Sequence, residues 1–258
     1  MMKNLVFLNE TDLSKSVYRV FSLERLEEIF LEQKLTLVKP KLWDDPFENF
    51  ILGAQSSLPD GTPFNIGFRE NYYGQCWSLT KESDAMWRIY SPKDERGETS
   101  GVKVKTTLRK LFTPMYNLGG NYQDQYGQSY NLSSFIGKVK YASTPKLLGM
   151  LNDKTRMGNK IFDQSGWGQA STFYFKRWAF RHENEIRLIF RGENNAFDIF
   201  KIDIDPFDLF DEIVLDPRMT TEKANLAKEQ IRAWGYNKKI IQSGLYKIPN
   251  LSISLPIY

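Results

Sequence analysis

Residues 183–190 read Glu-Asn-Glu-Ile-Arg-Leu-Ile-Phe, and this stretch decides how the rest of the chain is interpreted. It has the composition of a β-strand, in which successive side chains point to opposite faces. Glu183, Glu185 and Arg187 therefore share one predicted face, while Ile186 and Leu188 share the other. Because ionised side chains are costly to bury unpaired, we expect the charged face to look at water or at a ligand.

Further strands and a few helices are predicted on both sides of this stretch. The predicted strands are 17–21, 35–38, 75–80, 97–105, 138–141, 197–204, 212–215, 239–242 and 251–255. Helices are predicted after the capping residue Ser22, over 83–90, from 108 to 112 and over 221–234, where Gly235 ends the last one. Many strands with few helices between them indicate an α+β protein.

We expect residues 1–258 to form a single domain, with a central, largely antiparallel mixed sheet flanked by a few helices. Residues 116–134 are poor in aliphatic side chains and rich in Tyr, Gln, Asn and Gly. They are predicted to form a long polar loop, either a lid or target-recognition loop or a disordered excursion.

Composition excludes several classes of site. Hydrophobic residues make up 41% of the chain and charged residues 26%, as in globular proteins, and the net charge of +4 suits an anionic partner. Cys76 is the only cysteine and His182 the only histidine, so no structural zinc site or disulfide framework is expected. The amino-terminal stretch resembles neither a signal peptide nor a membrane span, and we expect a cytoplasmic protein without a membrane partner.

The polar residues of three predicted strands are the candidate site. Arg19 lies in an otherwise apolar strand, and its guanidinium suits phosphate or carboxylate; an ion pair with Glu183 or Glu185 is the alternative. Ser78 is a single hydroxyl between apolar neighbours. Trp87 and Tyr90 are candidates for stacking on a base or ring, with core packing as the alternative. The charged face itself has a structural alternative, an exposed ladder of ion pairs.

The order and spacing of these landmarks resemble the bacterial domain-of-unknown-function family 2971. The resemblance covers about residues 17–219. It rests on Tyr18-Arg19, Leu42-Trp43-Asp44-Asp45-Pro46-Phe47-Glu48, Cys76-Trp77-Ser78-Leu79, Met86-Trp87-Arg88-Ile89-Tyr90, Lys176, Trp178, Glu183, Glu185, Arg187 and Glu212-Ile213-Val214-Leu215-Asp216-Pro217. The family often has Asn-Asp where this chain has Asp44-Asp45, and Ala-Asp where it has Ser91-Pro92.

The layout also resembles, more remotely, that of ADP-ribosyltransferases: an early strand with Arg, a middle strand with Ser and a late strand with Glu-x-Glu. This resemblance implies that Arg19 holds the NAD pyrophosphate or the nicotinamide ribose and that Ser78 supports the arginine and that ribose. Glu185 would be the catalytic acid, stabilising the cationic sugar formed when nicotinamide leaves, and Glu183 a general base. Tyr18, Trp77, Trp87 or Tyr90 would stack on the nicotinamide.

The function implied is NAD-dependent ADP-ribosyl transfer to a macromolecule, a nucleic acid or a protein, by a bacterial toxin or phage-defence effector with a possible antitoxin partner. NAD would be a substrate, and no metal is expected. Two alternatives stay open. One is a non-catalytic nucleic-acid or protein binding module whose Glu-x-Glu-x-Arg face is an ion-pair ladder. The other is a metal-dependent nuclease using Glu48, Glu183 and Glu185, whose oxygens would suit magnesium.

Overall fold

The computed structural model describes residues 4–43, 45, 48, 56–57, 60–64, 70–118, 122–123, 129–130, 132–163, 165–192, 196–249 and 251–253. Its strands are β1 (Leu5–Val6), β2 (Ser16–Ser22), β3 (Lys34–Val38), β4 (Ser56–Ser57), β5 (Pro63–Phe64), β6 (Tyr72–Ser78), β7 (Gly101–Thr107), β8 (Tyr122–Gln123), β9 (Ser129–Tyr130), β10 (Ser134–Lys138), β11 (Lys140–Ala142), β12 (Phe175–Arg177), β13 (Glu185–Arg191), β14 (Ile199–Asp203), β15 (Glu212–Leu215) and β16 (Lys239–Gln242). Its α-helices are α1 (Leu23–Glu32), α2 (Asp84–Tyr90), α3 (Leu108–Leu118), α4 (Thr144–Asn152), α5 (Lys154–Ile161), α6 (Trp167–Ser171), α7 (Pro206–Leu209) and α8 (Thr221–Ala233).

Ten of the sixteen described strands form one large sheet with helices on both faces, and the pairs β4–β5, β8–β9 and β11–β12 form small separate ladders. Eight strands follow the order β1-β10-β13-β6-β2-β7-β15-β16, and β3 joins β6 and β14 beside this path. Only the β1–β10 and β15–β16 pairs in this sheet are parallel. The predicted fold class is confirmed.

The main hydrophobic core lies on one face of the sheet. It contains Trp77, Ile186 and Leu188 from the central strands, packed against α1, α3 and α8. We call this the apolar face. Within the described residues, no helix is long and apolar enough to cross a membrane.

The opposite face carries the charged side chains, and we call it the polar face. Antiparallel partners point to the same side of a sheet. Glu185 is paired with Ser78, and Ser78 with Tyr18, so these three side chains form one row across β13, β6 and β2. The row is the structural frame of the candidate site.

The central sheet opens beside β6. Strand β2 pairs with β6 only at Tyr18–Ser78, and β3 pairs with β6 only at Val38–Gly74. Between these two bridges, the residues at the middle of β6, Gln75 to Trp77, pair with no strand on that side in the part of the chain that the structure describes. The sheet therefore has a gap that begins next to the Tyr18–Ser78–Glu185 row.

Several predicted boundaries are wrong, and two predicted strands differ most from the structure. The predicted strand 138–141 is two strands, because the chain changes partners at Val139: β10 pairs with β13, and β11 pairs with β12. Residues 251–253 form no strand, although one was predicted over 251–255. Residues 254–255 lie outside the described residues.

The predicted polar loop 116–134 also lies partly outside them. Its described parts are the end of α3, the short β8–β9 ladder, residues 132–133 and the start of β10. No side chain is described between residues 119 and 131.

Candidate active site

The charged face of residues 183–187 is buried, so the prediction that it looks at water is wrong. Glu183 lies in a 3-10 helix (Trp178–Glu183) just before β13, and Asn184 takes a left-handed conformation that leads into the strand. Glu183 is 8% exposed, Glu185 3% and Arg187 0%. Their charges are compensated by one another and by two residues from distant parts of the chain.

Lys176, on β12, lies among three glutamates. Its Nζ is 2.7 Å from Glu48 Oε1, 2.5 Å from Glu183 Oε2 and 3.3 Å from Glu185 Oε2. Burial alone would lower the pKa of Lys176, but the negative charges of Glu185, Glu48 and Glu183 raise it above its ordinary value. The ammonium is therefore held charged by the carboxylates around it.

Arg187 provides the second cation of this cluster. Its Nε is 2.9 Å from Glu185 Oε1, and its NH2 is 3.1 Å from Glu185 Oε2 and 2.8 Å from Glu48 Oε1. The remaining NH1 donates to the carbonyl of Phe173 at 2.6 Å, and the guanidinium lies 4.5 Å above the Trp43 ring. Such a two-pronged contact is the strongest form of carboxylate binding by arginine.

The two glutamates of the Glu-x-Glu pair are held differently. Both oxygens of Glu185 accept hydrogen bonds. Burial would raise its pKa, but Arg187 and Lys176 lower it to about 2. For Glu183, Oε2 accepts a hydrogen bond from Lys176, Oε1 has no partner among the described residues, and burial raises the pKa of the carboxyl group. Glu183 therefore has the freer carboxylate oxygen.

With three carboxylates and two cations among the described residues, the cluster carries a formal net charge of −1 when every member is ionised. We call Glu48, Lys176, Glu183, Glu185 and Arg187 the carboxylate cluster. Sequence reasoning assigned no role to Lys176, which was only a landmark of the family resemblance, and considered Glu48 only as a metal ligand. No local signal joins Glu48 to Glu185, because they meet only through the fold.

Ser78 is a neighbour of the cluster, but its hydroxyl is already engaged. It donates to the carbonyl of Glu183 at 2.6 Å and accepts from the amide of Thr80 at 3.0 Å. The residue is 2% exposed. Ser78 thus fixes the backbone that presents Glu183, and it does not contact Arg19.

Arg19 lies at the gap beside β6. Strand alternation places it on the apolar face, next to Val104 in register, whereas Tyr18 and Glu185 are on the polar face. Burial lowers the pKa of Arg19, and the groups that act on it next are the Cys76 thiol and the Tyr90 hydroxyl. Both of these groups are also perturbed by Glu185. Arg19 and Glu185 therefore both act electrostatically on Cys76 and Tyr90.

The guanidinium of Arg19 has no hydrogen bond or ion pair in the part of the chain that the structure describes. Its only described contact of this kind is with the Phe21 ring, at 5.8 Å. The residue keeps some accessible surface, yet its charged end is enclosed enough for burial to lower its pKa. An enclosed guanidinium without an anion is costly, and a bound anion would relieve that cost.

The four predicted stacking aromatics take different positions. Trp77 is in the main core and donates to Gln75, so the structure does not bring it to the polar face. Trp87 is fully buried against Val20. Tyr18 and Trp87 line a small depression with Ser78. Tyr90 is 39% exposed, and burial together with the charge of Glu183 raises its pKa, so of these four aromatics it is the one on which the cluster acts.

Glu82 was missed by sequence reasoning. It lies on the rim of the same depression, and its Oε1 accepts from Lys103 at 3.0 Å, Trp87 at 3.2 Å and Ser243 at 2.7 Å. Burial would raise its pKa, but the hydrogen bonds from Ser243 and Lys103 lower it. Glu82 is thus held as an anion and fixes Trp87 in place.

Metal chemistry at this site would have to displace a lysine. Among the described residues, no group of His, Cys, Asp or Glu side chains is placed to hold a metal ion. The three glutamates of the nuclease alternative do meet, but they meet on the ammonium of Lys176.

Comparisons with known proteins give a distant structural likeness. No family model matches the chain, so the resemblance to family 2971 is not confirmed, and no curated protein matches it. The chain is similar to DarT of Thermus sp. 2.9 in complex with carba-NAD+, at 12% identity and a TM-score of 0.37, over 92% of this chain and 97% of that one. The complex with NAD+ gives 10% identity, a TM-score of 0.38 and coverages of 89% and 96%. The complex with ADP-ribosylated ssDNA gives 11% identity and a TM-score of 0.38, over 89% of this chain and 94% of that one.

Proposed function

We propose that this protein is an NAD-dependent ADP-ribosyltransferase acting on a macromolecular acceptor. The observation that carries the proposal is the enclosed guanidinium of Arg19, which has no ion pair with any described residue and lies at the gap next to the Tyr18–Ser78–Glu185 row. The pyrophosphate of NAD is an anion of the kind that a guanidinium binds through two parallel hydrogen bonds. Arg19 would hold it there, on one side of the gap, with the carboxylate cluster on the other.

The carboxylate cluster suits the chemistry of this reaction. Cleavage of the bond between nicotinamide and ribose builds positive charge on the sugar, and a fixed negative charge stabilises that transition state. The net charge of −1 on the cluster provides it. We assign the electrostatic role to Glu185, which Arg187 and Lys176 hold ionised. Glu183, whose Oε1 has no described partner, would take the proton of the incoming nucleophile.

Other residues would position the substrate. Tyr90 is half-exposed beside the cluster and is our candidate for contact with the nicotinamide ring. Tyr18 and Trp87 would form the wall of the depression, and Ser78 would hold the Glu183 backbone. NAD is also named in two of the distantly similar DarT structures. The proposal rests on Arg19 and the cluster, not on that likeness.

The test is consumption of labelled NAD by the purified protein, with protein, RNA and DNA offered as acceptors. Wild type should transfer label, while Arg19→Met and Glu185→Gln should lose at least about a hundredfold in rate, as for a residue acting on a charged transition state. Glu98→Gln is the matched control, because Glu98 lies on the surface in a pair with Lys223. A wild-type protein that leaves NAD untouched with every acceptor would contradict the proposal.

A binding module is the second candidate, favoured by one observation. Both oxygens of Glu185 are occupied and the residue is 3% exposed, as in a structural ion-pair ladder. In that case Glu185→Gln would lower stability, and wild type would show no NAD turnover at any temperature. NAD turnover by the wild-type protein alone therefore distinguishes the two functions.

The biological setting is also part of the proposal. We place the enzyme in the bacterial cytoplasm as a toxin or phage-defence effector with a possible antitoxin partner. Expression of wild type in bacterial cells should then slow growth, and the Arg19→Met variant should not. Equal growth of cells making either protein at equal abundance would argue against toxicity.

A further inference from the structure

A second surface adjoins the carboxylate cluster. The 3-10 helix Trp178–Glu183 carries Glu183 at its end and Trp178 at its start. Trp178 is 55% exposed, and the guanidinium of Arg181 lies 5.3 Å from its ring centroid. We call the exposed Trp178, Arg181 and His182 side chains the aromatic platform. A large aromatic ring that is open to solvent can stack on a ligand with flat rings, and Arg181 places a cation beside it.

The chain is strongly basic around this platform. Residues 138–182 contain nine Lys or Arg and two Asp, a net charge of +7, whereas the rest of the chain has a net charge of −3. Lys176 and Arg177 pair with carboxylates outside this segment, which leaves a net charge of +5. This segment, the basic lobe, comprises β11, α4, α5, α6, β12 and most of the 3-10 helix. Lys140 on β11 and Lys146 on α4 are exposed. The charge asymmetry indicates an anionic partner that contacts this lobe.

The lobe is packed beside the platform and the cluster. Strand β11 pairs with β12, and both strands contact the 3-10 helix, while α4 packs against β12. The hydroxyl of Tyr141 accepts a hydrogen bond from the backbone amide of Glu185 at 2.9 Å. A 3-10 helix rises about 2 Å per residue, so Trp178 and Glu183 are about 10 Å apart along it. A polymer held on Trp178 would therefore reach the cluster.

We propose that the aromatic platform and the basic lobe bind single-stranded nucleic acid and present one of its nucleotides to the Glu183 carboxylate. Every base has a face that stacks on an aromatic ring, and the lobe neutralises the phosphates. A duplex hides its base faces, so the exposed Trp178 ring selects single strands. The binding is independent of the proposed transferase activity, whereas the presentation to Glu183 rests on it.

The first experiment measures binding without NAD. Fluorescence anisotropy with a labelled single-stranded oligonucleotide, made as DNA and as RNA of one sequence, gives Kd for wild type. Trp178→Ala should weaken it at least about fivefold, the lower end expected for one base–aromatic stack, and Trp178→Phe should recover most of that loss. Arg181→Ala should lower the slope of log Kd against the logarithm of the salt concentration by about 0.7, the value for one lost phosphate contact on a single strand. Circular dichroism checks that each variant is folded.

The matched controls are exposed residues outside the lobe. Phe197→Ala removes an aromatic ring that is 68% exposed, and Arg96→Ala removes an exposed cation from a loop. Both should bind like wild type. The proposal would be overturned if Trp178→Ala bound the oligonucleotide as well as wild type does, or if wild type bound the matching duplex equally well. Equal affinity for polyglutamate would also overturn it, because that result would show charge attraction alone.

A second measurement separates this proposal from the proposed function. If both hold, Trp178→Ala should still cleave NAD with water as acceptor but should transfer far less label to the oligonucleotide. If wild type binds single strands and never consumes NAD, the transferase proposal fails and the binding surface stands. If wild type consumes NAD and does not bind single strands, only the binding surface fails.

Discussion

Glu185→Gln should destabilise the protein as well as remove activity. The carboxylate accepts two hydrogen bonds from Arg187, at 2.9 and 3.1 Å, and one from Lys176 at 3.3 Å. The glutamine amide would turn a donor toward these cations at a fully buried position. Removal of one partner of a buried ion pair costs about 3–5 kcal/mol in the free energy of unfolding. Glu98→Gln, at an exposed pair, should cost under about 1 kcal/mol.

The loss should depend on pH in a defined direction. The pKa of Glu185 is lowered from 4.5 to about 2 in the folded protein, so its ionised form stabilises the fold at pH values above about 4.5. That contribution disappears as the pH falls toward about 2. The difference between wild type and Glu185→Gln should therefore be full at pH 7 and shrink over this window.

The assay is urea unfolding followed by circular dichroism, with NAD turnover measured at a temperature where both proteins are folded. A shifted midpoint with an unchanged slope reports a change in stability alone. The reasoning is refuted if Glu185→Gln unfolds at the same urea concentration as wild type, since the carboxylate would then not bind its two cations. A folded variant with full NAD turnover would refute the catalytic assignment separately.

Three further substitutions test the same region and its frame by urea unfolding. Glu183→Gln should be at least as stable as wild type at pH 7. Burial raises the pKa of Glu183, so the ionised form of this side chain lowers the stability of wild type as the pH rises through that pKa. A less stable variant would contradict this. Lys176→Met should lose about 3–5 kcal/mol and the surface control Lys201→Met under about 1 kcal/mol, and equal losses would show that burial does not matter. Gly101→Ala should lose about 1–3 kcal/mol, because a methyl group there would overlap the Ser91 side chain, and an unchanged midpoint would count against that contact.

Local periodicity predicted much of the sheet and too little of the site. The strand predicted over 17–21 is β2, and the helix predicted over 221–234 is α8, ended by Gly235 with a φ of +97°. Both depend on side-chain spacing and end signals, which are local. The predicted strand 138–141 failed because a change of partner strand leaves no mark in four residues.

The prediction that the charged side chains face water failed for a different physical reason. A sequence pattern predicts that Glu183, Glu185 and Arg187 face solvent, because it considers the cost of burying each charge without its partners. Their partners Glu48 and Lys176 reach them only through tertiary contacts. The ion pairs among these five residues offset the desolvation cost of burying their charges. The row of Tyr18, Ser78 and Glu185 likewise depends on register between strands far apart in the chain. Residue types could be named from the sequence, but their convergence could not.

The excess negative charge of the carboxylate cluster argues that the cluster is more than a structural ladder. Two carboxylates would balance Lys176 and Arg187, and the third, when ionised, has no counterion among the described residues. Burial raises the pKa of Glu183, which shows that its ionised form is held at a cost. A ladder selected for stability would lose nothing by having glutamine at position 183, whereas an enzyme with a cationic sugar transition state needs that charge. A Glu183→Gln variant that is more stable and inactive would show that the chain gives up stability at this residue for catalysis, and one that is more stable and fully active would assign the charge no catalytic role.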